Sequence, residues 1–292
     1  MIPEHVMREL RYIELMTARK IRNQRVGAYQ SPLRGPGFDF DEHQPYRPGD
    51  DVRRIDWNVT ARVGAPYVRH THAERELNVV VAMDVSRSML LGGPGYSKKE
   101  ALTFITGSIL FSALSDQVNV GFLAYSDRIH SWTPPRRTRA AAWDVLAKMW
   151  ALSSGAKQTT MAPAIDHLLR SLKRVSMVFF VSDFMLQDDS LASRALTELG
   201  ARHDLIAVVP EDPQEVQLPA GVGYVRLRDL ETGKRVTVGL SGGARAAYEA
   251  SARERRNTLV RAFYRVPMDH VFVQTDRSPV LPVLSLFARR IA

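Results

Sequence analysis

Two patterns alternate between residues 77 and 210. Short apolar runs at 78–83, 117–125, 176–181 and 205–209 are separated by longer stretches at 98–114, 139–150, 161–173 and 189–201 that read as helices. Continuous apolar runs of this length read as strands buried on both faces of a parallel sheet. Strands alternating with helices of this length predict an α/β fold: a doubly wound, mostly parallel sheet flanked by helices.

The flanking segments read differently. Residues 3–22 predict a helix with Leu10, Ile13, Leu15, Met16 and Ile21 on one broad face. A loop at 27–37 follows, punctuated by Pro32, Gly35 and Pro36. Pro48-Gly49 signals a type II turn. Val52, Ile55, Trp57 and Val59 suggest a short strand beside it, and residues 66–70 a second. Residues 1–76 are thus expected to form an N-terminal helix and a small, partly β subdomain, and 77–292 the main domain. Within the latter, 224–227 and 234–238 flank Glu231-Thr232-Gly233 as a β-hairpin insertion near 222–240. A basic helix at 244–263, a strand at 270–274 and a helix from Pro279 complete the expected elements.

Composition narrows the chemistry. The chain has 292 residues, 45% of them hydrophobic, enough for one large domain with an appendage. It has no cysteine, which excludes disulfides, zinc–thiolate sites and cysteine nucleophiles. No apolar run approaches the ~18 residues of a membrane helix, and the first residues lack a signal pattern. A cytoplasmic protein is expected. The net charge is +9, but residues 224–292 alone carry 13 basic and 6 acidic side chains, a net of +7. Such a tail binds phosphate weakly and without sequence preference. With no aromatic platform or groove-reading motif beside it, solvated helix faces are the better reading, and no specific nucleic-acid partner is expected.

The residues that carry chemistry lie at the ends of the apolar runs. Asp84, Ser86 and Ser88 follow the first, Thr159 precedes a helix start, and Asp183 follows the third. Side chains at the carboxyl ends of parallel strands converge on the crevice where open α/β sheets bind ligands. Carboxylates and hydroxyls together suit a hard divalent cation, Mg²⁺ or Mn²⁺. Two carboxylates ~4 Å apart repel by ~4 kcal/mol at an effective dielectric of 20, and a cation reverses that sign. Each residue also has a plainer reading as a turn or helix cap. Thr160 can stand in for Thr159 as a ligand.

The ordered set Asp84-x-Ser86-x-Ser88, Thr159, Asp183 resembles the metal-ion-dependent adhesion site of von Willebrand factor type A domains, over about residues 77–210. The Gly-Gly-Thr usual in that family is here Lys157-Gln158-Thr159. A second resemblance rests on Gly35-Pro-Gly-Phe-Asp-Phe40, on Tyr46-Arg-Pro-Gly-Asp-Asp-Val-Arg-Arg-Ile-Asp-Trp57, on Ala61-Arg62 and on Asp84-Val-Ser-Arg-Ser-Met89. These are similar to the bacterial family filed as domain of unknown function 58. That resemblance implies a type A-like domain accompanying a MoxR-type AAA+ ATPase in a chaperone-like system. Many members of that family carry a membrane anchor ahead of the signature, and no comparable apolar run is seen here.

Five candidate ligands leave at least one coordination position open, and an acidic residue of a partner would fill it, as the resemblance implies. A non-enzymatic, metal-dependent adaptor for the ATPase or its client is therefore the expected function. Arg47, Arg53, Arg54, Asp56 and Trp57 are a possible second docking surface, or else ion pairs of arginine and aspartate that brace a turn. Enzymatic alternatives are weaker. No histidine is adjacent in sequence to the ligand segments, and no Gly-x-x-x-x-Gly-Lys is present. Gly239-Leu240-Ser241-Gly242-Gly243 matches a serine-hydrolase elbow, with Asp269, His270 and Asp276 downstream. Its preceding segment looks like a hairpin arm, so a glycine-rich helix entry is preferred.

Overall fold

The computed structural model describes residues 2–24, 40–48, 50, 52, 55–71, 77–90, 96–152, 159–186, 188–228, 234–266, 268–277 and 282. The described elements are α1 (Glu4–Gln24), β1 (Phe40–Pro45), α2 (Trp57–Val63), β2 (Tyr67–Thr71), β3 (Asn78–Asp84), α3 (Lys98–Ser115), β4 (Asn119–Tyr125) and β5 (Ile129–Arg136). They continue with α4 (Arg139–Ala151), α5 (Ala162–Ser171), β6 (Ser176–Val181), α6 (Arg194–Arg202), β7 (Asp204–Glu211), α7 (Pro213–Val216), β8 (Tyr224–Arg228), β9 (Arg235–Gly239), α8 (Gly242–Phe263) and β10 (Met268–Gln274). The expected loop at 27–37 and, apart from residue 282, the helix expected from Pro279 lie outside the described residues.

The core is a six-stranded sheet in the order β10-β7-β6-β3-β4-β5. The first five strands are mutually parallel and β5 runs antiparallel to β4. β3 and β6 are buried along their whole length, as unbroken Val, Met and Phe runs require when helices cover both faces. The central strands fall where the apolar runs place them.

β5 was not expected. Its sequence, Ile-His-Ser-Trp-Thr-Pro-Pro-Arg, carries two prolines and lacks a continuous apolar run. Proline is tolerated because β5 is the sheet edge, where one row of amides has no partner strand. Its neighbour adapts too. A Cβ at Gly121 would lie 3.0 Å from the Thr133 carbonyl and 3.1 Å from Pro135, so β4 needs glycine there.

The chain divides into two compact units, one of residues 1–32 and 77–292 and one of 33–76. The first helix belongs to the larger unit. Val6 and Leu10 of α1 are fully buried, and α1 packs on α3. The approach is close: a Cβ at Gly107 would meet Leu10 Cδ2 at 2.6 Å. The His5–Glu100 and Arg139–Glu14 pairs flank this packing.

In the smaller unit β1 and β2 pair antiparallel, and Ile55 bridges to Val68. Trp57 and Val59 are helical, not strand, which corrects the expectation for that segment. The carboxylate of Asp56 accepts from the Asn58 and Val59 amides, and Gly64 closes α2 in the left-handed region at φ 75°. A cap and a terminating glycine outweigh a four-residue apolar alternation. α6 starts at Arg194, not at residue 189, because Ser190–Ala192 form a 3₁₀ turn and Ser193 caps the helix.

Candidate metal centre

Three adjacent strands deliver the site. Met83 of β3 lies beside Val181 of β6, so Asp84 and the Ser182-Asp183 pair leave the sheet side by side. Ser182 Oγ donates to Asp84 Oδ2 at 2.8 Å. The Ser86 amide donates to Asp84 Oδ1 at 2.8 Å, and the Ser86 and Ser88 hydroxyls are 3.1 Å apart. β4 supplies the third wall. Its last turn ends at Ser126, whose carbonyl accepts from the Thr160 amide at 3.0 Å, which draws Thr159 to the same end of the sheet. Asp84, Ser86, Ser88, Thr159 and Asp183 are all buried. Thr160 Oγ1 donates to Asp188, a carboxylate outside the candidate set.

Asp183 lies two residues beyond β6. Phe184 takes a left-handed φ of 55°, rare for a bulky side chain, and turns the chain directly after it. Asp183 Oδ1 accepts from the Met185 amide at 3.2 Å, while Oδ2 is buried with no hydrogen bond. Phe184 is held by an edge contact to Phe263, with ring centroids 5.0 Å apart. A cavity of about 520 Å³ opens beside Asp183, lined among others by Phe184, Leu186, Val209, Glu215, Leu259 and Phe272.

Burial pushes the Asp84 carboxyl up to about 7, and the charge of Asp183 pushes the same way, against hydrogen bonds from Ser86 and Ser182. A buried carboxylate whose proton affinity is raised by a second carboxylate beside it is a candidate position for a cation. The donors, carboxylate and hydroxyl only, fit a hard divalent ion, and Asp183 Oδ2, which accepts no hydrogen bond, adds a candidate ligand atom. Among the described residues no three His, Cys, Asp or Glu side chains gather in a metal-binding cluster, so hydroxyls would have to complete the shell.

Sequence reasoning missed several neighbours. Ser182 was in plain view before Asp183, and only strand register shows that it faces Asp84. Lys98 Nζ is fully buried, 2.6 Å from Glu215 Oε1 and 3.7 Å from Asp183 Oδ2. Nothing in Ser97-Lys98-Lys99-Glu100 tells which lysine turns inward. His130 Nε2 is 2.6 Å from Ser126 Oγ, so a histidine does stand near the Thr160 segment in space, although none is adjacent in sequence. Burial and then Arg128 hold that imidazole below its ordinary range.

The possible docking residues divide. Arg53 and Arg54 lie outside the described residues. Arg47 is exposed and its amide donates to Asp50 Oδ2 at 2.8 Å. Asp56 is committed to capping α2, and Trp57 is 70% exposed. Ser241 caps α8 by accepting from the Ala244 amide at 3.2 Å, and β9 before it is a largely exposed hairpin arm. The basic helix α8 pairs Arg256 with Glu211 and Arg261 with Glu254. Among the described residues no helix is long and apolar enough to cross a membrane.

The family described as "Protein of unknown function DUF58" matches residues 42–258. An uncharacterized protein of Mycobacterium bovis is 30% identical over 284 residues, 96% of this chain and 88% of that protein. Among solved structures, the conserved hypothetical protein BatB from Bacteroides thetaiotaomicron is similar at 14% identity and a TM-score of 0.45, over 74% of this chain and 98% of that one. A von Willebrand factor type A protein from Catenulispora acidiphila is similar at 12% identity and a TM-score of 0.36, over 48% and 34%.

Proposed function

Because the chain belongs to the DUF58 family, whose function is unknown, we propose its role from its own site: a metal-dependent protein-interaction adaptor without catalytic activity. One observation carries the proposal. Asp84 stands beside Asp183 and the linked Ser86 and Ser88, Thr159 is buried at the same end of the sheet, and the Asp183 oxygen that lacks a hydrogen bond is buried there. Those five residues would hold Mg²⁺ or Mn²⁺. A bound cation supplies a charge and an open coordination position to an acidic side chain of a partner.

The chain's own residues prepare that position. The Ser86 amide and Ser182 hydroxyl fix both oxygens of Asp84. The left-handed turn at Phe184 holds Asp183 at the end of β6. The cavity beside Asp183 gives an apolar neighbour of the acidic residue somewhere to pack. The order of the five residues resembles an adhesion site, and the Tyr46–Trp57 signature resembles proteins that accompany MoxR-type AAA+ ATPases. The partner proposed is accordingly that ATPase or its client, in chaperone-like work in the cytoplasm.

The test is affinity capture of the ATPase from native cells with Mg²⁺ or with chelator, using wild type and the Ser86→Ala/Ser88→Ala double variant. Capture that needs the metal and both serines supports the adaptor. Equal capture in all four arms removes the metal from the mechanism.

A further inference from the structure

Lys98 opens α3 and its side chain is fully buried. A buried ammonium is tolerated only when paired. It is paired twice, with Glu215 Oε1 at 2.6 Å and Asp183 Oδ2 at 3.7 Å. The two contacts differ in kind. Glu215 receives a hydrogen bond, and its other oxygen accepts from the Asp212 amide at 3.1 Å in the capping box of α7. Asp183 Oδ2 receives charge but no hydrogen bond. Lys99, one residue on, instead lies over the Trp150 ring at 5.1 Å. Further out, Arg256 pairs with Glu211, and Arg255 Nη2 donates to the Glu215 carbonyl at 3.2 Å, so both of these guanidinium groups are engaged.

We propose that Lys98 is a built-in counter-cation of the metal centre, a positioning residue that divides its charge between Asp183 and Glu215. Without a divalent cation it offsets the carboxylate repulsion and keeps Asp183 in place. With one bound, two positive charges share the same carboxylate and oppose each other. The site's affinity is thereby held down, and its occupancy follows the supply of cation. Glu215 sets how much of the Lys98 charge Asp183 feels, which links α7 to the centre. This rests on the metal-binding reading above and adds what tunes it.

The opposing signs make the test. The full chain is titrated with Mn²⁺ alone, by calorimetry. Lys98→Met should bind Mn²⁺ roughly tenfold more tightly, a coupling of ordinary size for linked sites. Glu215→Gln should bind it several-fold more weakly, because Lys98 is left wholly to Asp183. Both variants should melt lower in chelator, since each breaks a buried pair. A brace with no role at the centre would lower both melting temperatures and leave the Mn²⁺ dissociation constant unchanged, and that result overturns the proposal. Should Lys98→Met not fold, Glu215→Gln and the Lys98→Met/Glu215→Gln double variant decide: no shift in either overturns it. If neither wild type nor any variant binds Mn²⁺, the metal reading itself falls and takes this role with it.

Discussion

The Ser182 hydroxyl donates to Asp84 Oδ2 at 2.8 Å, joining residues that are 98 positions apart. The bond exists because β3 and β6 are parallel neighbours in register, so the last residue of β3 meets the first residue past β6. It satisfies one oxygen of a fully buried carboxylate, and the Ser86 amide satisfies the other. Asp84 is thus fixed before any ligand arrives, although its ionised form is disfavoured by burial.

Divalent cations should stabilise the fold. At ~100 times the dissociation constant, Mg²⁺ or Mn²⁺ is expected to add ~2.7 kcal/mol. Asp84→Ala should abolish that gain. Thermal melts with metal and with chelator check it, and wild-type melts indifferent to both would count against the centre.

Stability in chelator should fall as pH rises. The Asp84 carboxyl sits at about 7 in the folded chain and at ~3.9 when unfolded. Between those values the folded state holds more protons, so the slope is negative, up to roughly 1.4 kcal/mol per pH unit. Asp84→Asn should flatten it. Urea melts from pH 4 to pH 8 in chelator would show the slope, and a rise in wild-type stability over that window would contradict the assignment.

Gly107→Ala should destabilise the larger unit by ~1–3 kcal/mol, because the new Cβ would meet Leu10 Cδ2 at 2.6 Å in a closed contact. Leu10→Ala alone should cost ~2–5 kcal/mol by leaving a cavity. Combined, the two changes should cost less than their sum. Additive denaturant midpoints would mean that α1 does not press on Gly107.

Ser241→Ala should cost about 1 kcal/mol through loss of the α8 cap. Ester hydrolysis should be undetectable in both wild type and variant. Esterase activity that disappears with Ser241 would reinstate a hydrolase.

Trp57→Ala should leave the melting temperature within about a degree, since a side chain that is 70% exposed has little packing to lose. Reduced ATPase capture by this variant would assign the Tyr46–Trp57 signature to docking. A lowered melting temperature would assign it to bracing.

Sequence alone determined the sheet's central strands and the helices between them, and it singled out five oxygen-bearing side chains as candidates for a site. Fully buried strands leave continuous apolar runs, and parallel connections require helices, so both are written locally. The capped helix at Trp57–Val63 was misread because Ile55, Trp57 and Val59 alternate by chance while Asp56 caps. The edge strand β5 carried no signal, since prolines and polar residues suffice where only one side pairs. Tertiary structure decided what stands around those candidates. Strand register brought Ser182 to Asp84, and the turn of one lysine of a Lys-Lys pair brought a buried charge to Asp183. Packing against Gly107 assigned α1 to the larger unit. These outcomes depend on distances between segments remote in the chain, which local patterns of polarity do not encode.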